Sequence, residues 1–129
     1  MHILVIEDSD AIRLMIETLV GARGHQVVGV PTGAKGIDAA IASPPDAILL
    51  DLMLPGSYDG FEVCKKLREA ETTRGVPIII ISALDDDASK QRAREAGATA
   101  YYTKPFSPTA LIKEIEAIPK RESGKIRVK

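Results

Sequence analysis

With 129 residues, 45% hydrophobic and 27% charged, the chain has the size and composition of one globular domain with room for a buried core. A formal net charge of −1 leaves no electrostatic case for nucleic acid or an anionic membrane as principal partner. The single cysteine, Cys64, excludes an internal disulfide, and no apolar run approaches the roughly 18 residues of a membrane span, so a cytoplasmic protein is expected.

The run at residues 2–6, His2-Ile3-Leu4-Val5-Ile6, predicts a first strand that ends on Glu7-Asp8. Ile12, Met15, Ile16, Leu19 and Val20 then recur at helical spacing, and this helix stops near Gly21 and Gly24. A second strand is expected over 26–30, and a shorter helix carrying Ile37, Ala40 and Ile41 ends before Pro44-Pro45. The third strand, 47–50, runs straight into Asp51, and Phe61, Cys64 and Leu67 mark the helix that follows, with Cys64 read as a small buried apolar residue. The fourth strand, 77–81, holds four consecutive isoleucines; like 47–50 it lacks alternation, which suits a parallel strand covered on both faces. The helix after it, roughly 86–96, offers only Ala88, Ala93 and Ala96 as apolar positions behind Asp85-Asp86-Asp87, so weak docking is expected. A fifth strand over 99–103 precedes a last helix bearing Leu111, Ile112, Ile115 and Ile118, with Ser107 as N-cap and Pro108 at its first position. Five βα units in series imply a doubly wound α/β sheet with right-handed crossovers. Residues 119–129 are basic and read as a tail or the start of a linker.

In an open α/β sheet, ligands sit beyond the carboxyl ends of the strands. Four of the five strands deliver a polar group there: Glu7 and Asp8, Asp51, Ser82, and Lys104. Singly, each has a plain reading. Lys104 before a proline is an ordinary surface lysine, Ser82 ends a strand, and Glu7-Asp8 with Ser9 and Asp10 caps a helix. Together they suit one task. A carboxylate at the end of a buried strand is expensive without a use for its charge. Three carboxylates repel unless a cation relieves them, and hard oxygens suit Mg²⁺. Carboxylates form aspartyl phosphates, with a lysine and a hydroxyl available to phosphoryl oxygens. Asp51 is thus the candidate nucleophile.

The stretches Ile3-Leu4-Val5-Ile6-Glu7-Asp8, Asp51-Leu52-Met53-Leu54-Pro55-Gly56, Ile80-Ile81-Ser82-Ala83 and Lys104-Pro105-Phe106 resemble the receiver domain of two-component response regulators, in family order and spacing over residues 1–118. The resemblance implies a flavodoxin-like fold of five parallel strands, order 2-1-3-4-5, with five helices. It implies that Asp51 accepts a phosphoryl group from a sensor histidine kinase or histidine phosphotransfer protein. Mg²⁺ would be ligated by Asp8, Asp51, Glu7 through water and the backbone carbonyl of Met53. Lys104 and Ser82 would contact the phosphoryl oxygens. Tyr101 would be the switch aromatic, turning from outward to inward as Ser82 moves, and the Lys104–Pro105 peptide would be cis. Such a domain is no enzyme beyond assisting its own phosphorylation and autodephosphorylation, and it acts on a downstream protein or an output domain.

The chain departs from the family pattern in three places. Glu7 replaces the commoner aspartate of the acidic pair. The loop Gly56-Ser57-Tyr58-Asp59-Gly60 is one residue longer than usual. Thr99-Ala100 stands where one transcription-factor subfamily carries acidic residues that pair across a dimer, which leaves a homodimer open. A pseudo-receiver that no longer uses phosphate is the alternative, opposed by the intact acidic pair, Asp51, Ser82 and Lys104. A flavin or dinucleotide enzyme lacks a glycine-rich loop after the first strand. A metal-dependent phosphatase lacks a second base.

Overall fold

A strand that is apolar on both faces must be covered twice, and that requirement sets the architecture. In the computed structural model, which describes residues 1–118, all of Ala47–Leu50 and Ile78–Ser82 is buried. The basic segment 119–129 lies outside the described residues. The elements follow the chain as β1 (His2–Ile6), α1 (Asp10–Gly21), β2 (Gln26–Val30), α2 (Gly33–Ala42), β3 (Ala47–Leu50), α3 (Gly60–Glu69), β4 (Ile78–Ser82), α4 (Asp87–Ala96), β5 (Ala100–Thr103) and α5 (Pro108–Glu116). All strand pairs are parallel, in the order β2-β1-β3-β4-β5. Strand order reverses at β1, so the switch point lies between β1 and β3.

Alternate side chains feed two core layers. Leu4, Ile6, Ile48, Leu50, Ile78 and Ile80 point to one face, where Ala40 of α2, Val63, Cys64 and Leu67 of α3, and Ala93 of α4 cover them. Ile3, Val5, Leu49, Ile79 and Ile81 point to the other, under Ile16 and Val20 of α1 and Leu111 and Ile115 of α5. Ser107 accepts the Ala110 N–H as N-cap of α5 with Pro108 at its start, and the Lys104–Pro105 peptide is cis.

The structure refines three expectations. β4 runs one residue later than the apolar run, because its ladder continues to pair Ser82 with Thr103. Met15 and Ile41, placed on buried faces by their spacing, are about half exposed. In α4, only Ala93 is buried and Ala88 faces solvent. The helix is held largely by polar contacts at its C-terminal half. The Cys64 thiol donates to the Ala96 carbonyl (3.3 Å), Arg68 Nε donates to the Gly97 carbonyl (3.0 Å), and the Arg92 guanidinium lies 4.0 Å from the Phe61 ring centre.

Candidate functional site

The strand ends beside the switch point bring the predicted acids together. Glu7 and Asp51 are buried and Asp8 is exposed, and one oxygen from each of the three lies within 4.8 Å of the others. The backbone fixes the buried pair: Glu7 N–H donates to the Val30 carbonyl (3.1 Å) and Asp51 N–H to the Ile6 carbonyl (3.0 Å). Gly60, the first residue of α3, seats this arrangement, since a Cβ there would overlap the Asp51 carbonyl and the Leu52 Cα.

Lys104 enters from the end of β5, where its own N–H donates to the Ser82 carbonyl (2.8 Å). Its Nζ reaches Glu7 Oε1 at 2.7 Å and Asp51 Oδ2 at 3.1 Å. Burial pulls the ammonium's pKa down, but the hydrogen bond it donates to Glu7 and the charge of Asp51 outweigh that, and the pKa stands above the ordinary 10.5. The remaining oxygens are placed by backbone donors: Ser9 N–H to Glu7 Oε2 and Met53 N–H to Asp51 Oδ1, each 3.1 Å. Ser9, not Glu7 or Asp8, caps α1. Three carboxylates against one ammonium leave two formal negative charges, and the exposed Asp8 opens them to solvent. A hard divalent cation fits that donor set and that charge.

Ser82 is fully buried at the end of β4, and its hydroxyl accepts the Leu84 N–H (3.3 Å) rather than meeting a carboxylate. Tyr101 is half-buried against the same core layer as α3 and α4, and its hydroxyl donates to the Leu84 carbonyl. Burial raises the Tyr101 pKa. Met53 is exposed and enters the cluster through its backbone.

The loop before α3 packs against the start of α2 through Tyr58. Gly33 lies against the Tyr58 backbone and the Val63 side chain, and Asp59 and Glu62 form a reciprocal capping box that starts α3. Thr99 has its hydroxyl engaged within the fold, accepting the Ile78 N–H at 3.0 Å and Arg68 Nη2 at 3.4 Å. Two participants have no side-chain signature in the sequence. One is the Leu84 peptide, shared by Ser82 and Tyr101. The other is the Glu7 carbonyl, which accepts from Arg13 Nη1 (2.8 Å).

A doubly wound parallel sheet with an acidic cluster at its switch point defines a receiver-type α/β domain. The family model described as a response regulator receiver domain matches residues 3–116, and the chain belongs to that family. It is 38% identical over 120 residues to the transcriptional regulatory protein CseB of Streptomyces avermitilis, covering 93% of this chain and 49% of that protein. The chain spans about half the length of the first curated relatives it matches. Among solved structures, a response regulator from Chloroflexus aurantiacus superposes with a TM-score of 0.85 at 32% identity, covering 91% of this chain and 95% of that one. The receiver domain of the sensor histidine kinase PA1611 from Pseudomonas aeruginosa does so with a TM-score of 0.84 at 30% identity, with the same coverage. That structure has a magnesium ion coordinated in its active-site cleft. Receiver domains bind Mg²⁺ at an acidic cluster, which in this chain is Glu7, Asp8 and Asp51. Among the described residues, no helix is long and apolar enough to cross a membrane.

Proposed function

We propose that the chain is a phosphorylation-dependent signalling switch whose Asp51 accepts a phosphoryl group from a phosphohistidine on a sensor kinase or phosphotransfer protein. One observation carries this reading. The Lys104 ammonium bridges the buried carboxylates of Glu7 and Asp51 while exposed Asp8 opens the same cluster to solvent. Glu7, Asp8, Asp51 and the Met53 carbonyl are the groups that would hold Mg²⁺, which when bound supplies charge neutralisation to the carboxylates and to a phosphoryl group.

An Asp51 oxygen forms the bond to phosphorus as the donor's phosphorus–nitrogen bond breaks. The electron pair leaves with the donor imidazole, which takes up a proton. Lys104, held charged by its raised pKa, turns from a carboxylate to a phosphoryl oxygen. In autodephosphorylation, water attacks phosphorus and the Asp51 carboxylate departs, so the chemistry is confined to the domain's own modification.

The response runs through Leu84. If the Ser82 hydroxyl turns toward a phosphoryl oxygen it releases the Leu84 N–H, and Tyr101 holds the carbonyl of that residue. A bias of a few kcal/mol on this shared segment is enough to shift the α4–β5 face between two populations. That face carries a cleft of about 150 Å³ lined by Lys90, Ala93, Arg94, Thr99 and Tyr101, suited to a downstream protein or an output domain. On the other side of Lys104, an apolar groove of about 410 Å³ lined by Ile12, Met15, Pro105, Phe106 and Pro108 suits the phosphodonor protein. Residues 1–118 make up the receiver unit, and 119–129 a tail or the start of a linker. A cytoplasmic location goes with this reading.

Incubation with Mg²⁺ and acetyl phosphate should add one phosphoryl group, detected by intact mass, and Asp51→Asn should abolish it. Labelling of Asp51→Asn at the wild-type level would show that another residue is the acceptor. No labelling of the wild type would leave the pseudo-receiver.

A further inference from the structure

Arg13 lies in α1 one turn beyond the Ser9 cap, outside every residue set assigned above, and is mostly shielded from solvent, with 18% of its side chain exposed. Each of its three nitrogens faces an acceptor. Nη1 donates to the Glu7 carbonyl at 2.8 Å, Nη2 pairs with Asp10, and Nε lies 3.8 Å from Glu17 Oε1. The stem crosses β2 at Gly29, where a Cβ would come within 2.9 Å of Arg13 Cγ. The Nη1 contact falls on the peptide joining the two acids of the cluster. Its Glu7 end is already tied to β2 through Glu7 N–H and the Val30 carbonyl (3.1 Å), while the Asp8 carboxylate makes no hydrogen bond among the described residues. The direction in which Asp8 projects is therefore set by that peptide, and Arg13 sets the peptide.

We infer that Arg13 is a positioning residue of the acidic cluster: its guanidinium fixes the Glu7–Asp8 peptide so that the Asp8 carboxylate converges with Glu7 and Asp51. This rests on the reading of the cluster as a cation site. The charge of Arg13 is balanced on its own helix by Asp10 and Glu17, so it acts through hydrogen-bond geometry. Groups that orient a metal ligand from behind influence affinity by about 10–100-fold when removed.

Field and geometry predict opposite signs here, which makes the inference testable. A cation removed from beside a cation site should tighten Mg²⁺ binding, whereas a lost positioning contact should weaken it. Calorimetric titration of Mg²⁺ should show at least about tenfold weaker binding in Arg13→Ala than in wild type. In the metal-free protein, the Asp8 amide should exchange faster and the Glu7 carbonyl carbon resonance should move, both read by NMR. Arg13→Met keeps an apolar stem over Gly29 and gives the same test if Arg13→Ala is poorly folded. Unchanged or tighter Mg²⁺ binding in Arg13→Met, with wild type binding normally, overturns this inference alone. Wild-type protein that binds no Mg²⁺ overturns the underlying site reading with it.

Discussion

Lys104 stands between two buried acids, and the sign of its removal follows from their burial. Lys104→Met leaves the carboxylates of Glu7 and Asp51, 2% and 5% exposed, facing each other without a counter-ion. Breaking a buried pair this way costs about 3 kcal/mol, or very roughly 10 °C in melting temperature for a domain of this size. Asp8→Asn should act in the opposite sense. It removes one of three converging like charges, and Ser9 rather than Asp8 caps α1, so the metal-free domain should gain about 1 kcal/mol at low salt. Mg²⁺ should raise the melting temperature of the wild type and of Lys104→Met but not of Asp8→Asn. Thermal denaturation with and without Mg²⁺ checks all three, and a lower melting temperature for metal-free Asp8→Asn would refute the repulsion argument. The positions of these acids were legible in the sequence because parallel strands of one polarity must deliver their ends to one edge. Their pairing was not. Lys104 lies 97 residues from Glu7, and nothing local says which oxygen it takes. Arg13 escaped notice for a related reason: its partner is a backbone carbonyl, which every residue possesses.

At the scale of an element, α4 shows how a pattern of apolar spacing can misplace a docking surface. Three alanines suggested a poor face, and the structure does bury only Ala93 of them. Polar hold on α4 comes from α3, through the Cys64 contact with Ala96 and the Arg68 contact with Gly97, while the rest of the Arg68 guanidinium ties down the α3–β4 connection. That guanidinium donates to the carbonyls of Gly97, Arg74 and Val76 at 3.0, 3.0 and 2.6 Å. Burial lowers the Arg68 pKa, yet the group faces a wall of carbonyls that only a multi-toothed donor can satisfy. Arg68→Ala strands those acceptors, and a loss of about 2 kcal/mol is expected in urea unfolding. It should also loosen α4 locally. Cys64 reports this, because its thiol is buried, its pKa is raised by burial, and its hydrogen bond goes to Ala96 of α4. Maleimide labelling of native Cys64 should be slow in wild type and should accelerate in Arg68→Ala by more than the fall in global stability explains. Acceleration equal to that fall would mean that α4 opens only with the whole domain.

Across the whole molecule, the two ends of the sheet carry charge differently, and the pH dependence of stability should separate them. The carboxyl edge holds the acidic cluster and Lys104. At the opposite end, Glu116 in the last turn of α5 meets Arg23 Nη2 at 2.8 Å and His25 Nε2 at 3.1 Å, tying that helix to the loop before β2. A carboxylate there is unfavourable to the helix dipole, and these two partners offset that. The hydrogen bond from Arg23, and then that from His25, holds the Glu116 pKa below its ordinary 4.5. The contribution of Glu116 is therefore present above 4.5 and lost as pH falls through the depressed value. Lys104 behaves in reverse. Its folded pKa lies above 10.5, so its contribution is complete below that value and disappears as pH rises through the raised one. Metal-free melting curves across the pH range should then show two separable limbs. The difference between wild type and Glu116→Gln should shrink on acidification below 4.5. The difference between wild type and Lys104→Met should persist at neutral pH and shrink above 10.5. Added salt should reduce the Glu116 difference more, because that ion pair is open to solvent whereas Lys104 sits against two buried carboxylates. An acid limb unchanged by Glu116→Gln would mean that the far end of α5 is held by packing of Leu111 and Ile115 alone.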